Sequence, residues 1–139
     1  MTGPRGPAGS PVPAGALVVD PGGVRALQDW VAAVTGELAV VLADDLGRLP
    51  DPMLDALAGL AAPGGPTVLV AAAAPADLTG FRGPAPALRR TRTALLLRPD
   101  RGDAELLSLR LPRAALPSRP GSGWLVTAGA PTRVQVSRR

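Results

Sequence analysis

The chain has 139 residues, 46% of them apolar, and a formal net charge of +4, with neither cysteine nor histidine. That length suits one modest domain and excludes two ordinary ones. The two missing residue types exclude a disulfide framework, thiolate chemistry, the commonest general base and the commonest zinc ligands.

Every one of the 15 basic residues is arginine, and 17 Gly, 17 Pro and an alanine excess accompany them, the signature of a GC-biased coding sequence. The charge is unevenly placed. Residues 1–81 hold three arginines and eight acids, and residues 82–139 hold twelve arginines and three acids. Trp30, Trp124 and Phe81 are the only aromatic residues, and alanine buries little area, so a thin core of Leu and Val that leans on a partner is expected. No apolar run reaches membrane-spanning length, and the start lacks the apolar core of a signal peptide. A cytoplasmic location without direct membrane insertion is the expectation.

Residues 1–15 are Gly, Pro, Ala and Ser with one arginine and read as a disordered tail, leaving 16–139 as the folded unit. Leu17–Asp20 reads as a short strand stopped by Pro21-Gly22-Gly23. Val24, Leu27, Val31 and Val34 recur at helical spacing, which predicts a helix over 23–35 ended by Gly36. The run 38–43 is apolar at every position, the pattern of a parallel strand buried on both faces. Asp51 is expected to cap a helix over 51–61, with Pro52 in its first turn. Thr67–Ala71 is the third strand, 75–90 holds short helical pieces, and Ala94–Leu97 is the fourth strand. Asp103–Leu107 adds a helical turn or two, and a Pro/Arg-rich crossing follows over 112–120. The end reads as a hairpin, 123–127 and 132–136, about a turn at 128–131. Alternating strands and helices predict an α/β fold with a mostly parallel sheet and a C-terminal β-hairpin.

Two groups of residues carry candidate chemistry. Asp44 and Asp45 end the apolar strand, where α/β sheets bind ligands. Asp44 is the candidate magnesium ligand and Asp45 its neighbour, yet no GxxxxGK[ST] loop precedes them and the chain has no lysine. The competing reading is a polar strand exit that anchors the next loop. The second group is Arg89, Arg90 and Arg92, whose guanidinium groups suit phosphates of DNA or of a neighbouring subunit, or an acidic protein surface. A solvated helix end is the plainer alternative. A third possibility is an unrelated small α/β protein with a coincidental Asp-Asp strand exit.

The order of five segments, LAVVLADD with LGRLPDP, TVLVAA, FRGPAPALRRTRTALLLRP, GDAELLSLRLP and LPSRPGSGWLVTAGAPTRVQV, resembles the C-terminal half of an FtsK/SpoIIIE-type ATPase module. The likeness is to the degenerate last module of multi-module members, including the type VII secretion ATPase, and runs over about residues 15–136 without the Walker A loop. It implies a partial RecA-like P-loop NTPase core, with 38–43, 67–71 and 94–97 in one sheet. It places Asp44 and Asp45 on the Walker B acids and Arg89, Arg90 and Arg92 in the arginine-bearing segment before a core strand. Ser108 stands where the family commonly has glycine. Intact modules use ATP and magnesium to move DNA or support protein secretion, whereas no cofactor is expected for this chain by itself. Its implied partner is another ATPase chain or the missing N-terminal half of a module, with DNA as a further candidate. One face of the sheet is then expected to lack cover beside residues 38–43.

Overall fold

Val24, Leu27 and Val31 fall on one helix, α1 (Val24–Ala33), in the computed structural model, which describes residues 17–34, 38–65 and 67–137. The expected tail and the Gly36 helix stop lie outside those residues. After α1 comes strand β1 (Ala39–Ala43), then helix α2 (Asp51–Leu60) and strand β2 (Thr67–Ala71). β1 and β2 pair in parallel, with Val41 beside Leu69. Two parallel neighbours need a crossover, and α2 supplies it.

Leu27 of α1, Val41 and Ala43 of β1, and Met53 and Leu57 of α2 form one buried cluster with Leu46. Both helices therefore sit on the same side of the two-stranded sheet. Leu57 is 2% exposed, and burial of such a side chain stabilises the fold by about 1.5–3 kcal/mol. The expectation that residues 38–43 are buried on both faces is corrected. Ala39, Val41 and Ala43 are buried, whereas Leu38, Val40 and Leu42 are exposed, Leu42 by 76%. Val68 and Val70 of β2 extend the open face, as register pairs Val40 with Val68 and Leu42 with Val70. Both helices pack on one side of the β1–β2 pair, so its other apolar face lies open.

The second half has helix α3 (Ala85–Thr91), strand β3 (Ala94–Leu97), helix α4 (Arg101–Leu106) and strands β4 (Ser122–Thr127) and β5 (Ala130–Gln135). These strands form a separate antiparallel sheet in the order β3-β4-β5. The expectation of one mostly parallel sheet that includes 94–97 is thereby corrected; the fold is a small mixed α/β fold. The reason lies in β4. Its alternate residues Trp124 and Val126 are buried against Ala104 and Leu107, and Leu109 completes that cluster. Ala94 and Leu96 stand opposite Val126 and Trp124, so β3 joins the sheet whose apolar face it extends.

Asp100 caps α4: its carboxylate accepts from the Asp103 amide at 3.0 Å, and the Asp103 carboxylate accepts from the Asp100 amide at 2.9 Å. This reciprocal pair satisfies two backbone donors, and the helix starts earlier than the sequence suggests. The hairpin turn is two residues, Ala128 and Gly129, with φ of 48° and 88°. Positive φ at both central positions matches the twist of a two-residue hairpin, so β5 begins at Ala130 rather than 132.

Two local expectations also fail. Leu17–Asp20 is not a strand: the Asp20 carbonyl accepts from the Gly23 amide at 2.8 Å, closing a turn, and Val19 packs on the first core. Asp51 does not cap α2; it is the first helical residue after Pro50, and its carboxylate pairs with Arg82 Nη1 at 3.1 Å.

Candidate functional site

Asp44 and Asp45 leave the carboxyl end of β1 through a break in the ladder. The Ala72 amide donates to the Ala43 carbonyl at 2.8 Å, and the Ala72 carbonyl accepts from Leu46 at 3.0 Å. A regular parallel ladder would use the amide of residue 45 instead. One extra residue is therefore accommodated, and Asp45 takes it up with φ of 52°. Asp is among the residues that tolerate this left-handed conformation best.

Both carboxylates are solvent-exposed. Asp45 pairs with Arg48 Nε at 3.4 Å, an exposed contact that contributes little. The next 3₁₀ turn, Pro75–Leu78, brings Asp77 against Gly47, where a Cβ would lie 2.6 Å from the Asp77 carboxylate. Asp77 also accepts from the Ala74 amide at 3.2 Å, which commits it to its own turn. Among the described residues, no three carboxylates or other ligating side chains gather to hold a metal. Asp45 lies beside Arg48, Asp77 is held in its own turn, and the sequence has no lysine to meet phosphates.

The three arginines come together at the end of α3. Arg89 Nη1 donates to the carbonyls of Leu78 and, at 2.7 Å, Gly80, and its guanidinium carbon stands 5.7 Å from the centre of the Phe81 ring. Arg90 Nε donates to the Pro86 carbonyl at 3.3 Å. Arg92 has φ of 50°, donates through Nη2 to the Ser108 carbonyl at 3.2 Å, and accepts on its own carbonyl from the Gly129 amide at 2.9 Å. Gly129 is needed there twice over, for its positive φ and because a Cβ would come within 2.9 Å of the Arg92 guanidinium. The three side chains line one cleft with Phe81, Leu106 and Ser108. Among the described residues neither ion pair involves them, and no hydrogen bond joins them to Asp44 or Asp45.

A wider depression lies between α4 and the 112–118 crossing. It is lined by Arg98, Arg101 and Arg113 but also by Asp100 and Glu105, so both signs of charge share it. Phe81 is the residue that sequence reasoning missed. It is 88% exposed, and its aromatic ring stands alone before a run of arginines in FRGPAPALRRTR. That isolated aromatic was the available signal.

No family model, no curated protein and no solved structure matches the chain. Among the described residues, no helix is long and apolar enough to cross a membrane.

Proposed function

We propose that the chain is a non-catalytic module similar to the C-terminal part of an FtsK/SpoIIIE-type ATPase, with a structural or assembly role beside a larger partner. One observation carries this reading. A parallel β1–β2 pair ends in two aspartates, yet its outer face of Val40, Leu42, Val68 and Val70 is open. Parallel sheets are almost always covered on both faces, so this one is suited to a partner that completes it. Ser108 departs from the glycine common in the family, at a position whose φ of 53° lies in the left-handed region where glycine costs nothing. The separate second sheet departs from a single RecA-like sheet, so the reading is confined to a partial or rebuilt module. Asp44 and Asp45 then serve as a strand exit and loop anchor, and Arg89, Arg90 and Arg92 belong to the other half of the molecule.

The test is ATP turnover and ATP affinity of the purified chain at millimolar magnesium, with sedimentation velocity on the same sample. Neither turnover nor saturable ATP binding is expected, and concentration-dependent association is. Turnover that disappears in Asp44→Ala and Asp45→Ala overturns the non-catalytic reading. A monomer whose amides are strongly protected from exchange across residues 38–71 overturns the assembly role.

A further inference from the structure

We infer that the cleft at the end of α3 is a binding site for a short stretch of single-stranded nucleic acid, with one base stacked on Phe81 and the flanking phosphates held by Arg90 and Arg92. This site is independent of the module reading, because it uses neither the open sheet face nor Asp44 and Asp45.

The first ground is charge. Three guanidinium groups line the cleft, and none of its lining residues is acidic. The neighbouring depression, in contrast, mixes Arg98 and Arg101 with Asp100 and Glu105. An arginine cluster free of carboxylates keeps its positive field for an outside anion.

The second ground is order. Each arginine is already tied to the backbone, Arg89 at Leu78 and Gly80, Arg90 at Pro86, Arg92 at Ser108. These ties consume only some of the donors on each guanidinium, restrain its orientation and leave the other donors for a ligand. A fixed planar fork suits the paired oxygens of a phosphate better than a free lysine would. Less side-chain freedom is then lost on binding.

The third ground selects the ligand. Phe81 is 88% exposed, and Arg89 lies over its ring. Charge by itself would serve an acidic peptide equally well, but a run of carboxylates has no flat ring to lay on an open aromatic face. A base does, and stacking beside a basic groove is how single strands are held without sequence preference. Duplex DNA keeps its bases stacked inside and could offer Phe81 nothing but backbone. Leu106 and Pro86 add apolar lining to the cleft.

Fluorescence anisotropy with a labelled oligothymidylate of about a dozen nucleotides tests the site on the whole chain. Binding at low salt is expected, weakening steeply as salt rises. Phe81→Ala should weaken it about tenfold, the effect of one lost base stack, and Arg90→Ala should weaken it by a similar factor. Both positions are exposed, and circular dichroism should show each variant folded. Phe81→Trp should retain binding, and comparison with the parent chain should show quenching of the added tryptophan. Arg113→Ala, in the other depression, should leave the affinity within about twofold. Equal affinity for duplex of the same length, equal competition by polyglutamate, or an unchanged affinity in Phe81→Ala would each overturn the proposal.

Discussion

The two halves of this molecule solve the same burial problem with different sheets. In the first, two parallel strands lie under α1 and α2, and the uncovered side is a plain of Val and Leu. In the second, three antiparallel strands lie against α4, with Val126 wholly buried at the centre. Its uncovered side exposes Leu95, Leu97 and Leu125 but also threonines at 127 and 132. Antiparallel sheets commonly tolerate one wet face, and parallel ones do not. The difference teaches that one exposed sheet face is ordinary in the second half and unusual in the first, where the sheet is parallel. The charge follows the same division, acidic before residue 81 and basic after it.

The largest expected effect tests whether the halves stand or fall together. Leu57→Ala should cost about 3 kcal/mol, the usual range for a buried leucine truncated to a cavity. Hydrogen exchange should then show residues 39–71 losing protection ahead of 94–135. Equal loss in both segments would make the molecule one cooperative unit and erase the comparison. A smaller effect sharpens it. Leu42→Thr combined with Val70→Thr should change stability by no more than about 1 kcal/mol, since both sites are exposed. Sedimentation velocity should nevertheless show weaker self-association. If association is unchanged, the open face of β1–β2 is not the sticky one, and Leu95, Leu97 and Leu125 become the surface to alter. The smallest effect belongs to the second half. Ser108→Gly should stabilise it by about 1 kcal/mol through relief of the left-handed backbone, read as a higher urea midpoint. A loss of stability would mean that the serine side chain is needed there.

Much of this architecture was legible along the chain because it rests on local patterns. The spacing of Val24, Leu27 and Val31 set α1, the apolar runs set β1 and β2, and the turn chemistry near Gly129 set the hairpin. What was not legible depends on partners far apart in sequence. A fully apolar strand reads the same whether one face or two is covered, so the exposure of Leu42 could not be read from residues 38–43. The allegiance of β3 to β4 is decided by Trp124 and Val126, more than two dozen residues away. Asp51 was misread because Asp before Pro signals a cap and a first-turn residue alike, and Arg82 decided between them. At the candidate sites, the residue types were readable and their engagements were not. Nothing local announces that Arg89 will reach back to Leu78 and Gly80, or that Arg92 will close onto Ser108.

The two-residue turn at Ala128 and Gly129 has a consequence for the order in which the chain acquires structure. Antiparallel β4 and β5 need almost no loop closure and can zip within microseconds once both are free. They are, however, the last of these strands to leave a ribosome, and β3 has no other strand to pair with among the described residues. During synthesis β3 and α4 must wait, while β1, α2 and β2 have already emerged and can settle. The first half is thus the early folder on a ribosome, and the second half gains its speed only when refolding starts from the whole chain. Refolding from denaturant and folding during translation should consequently populate different intermediates.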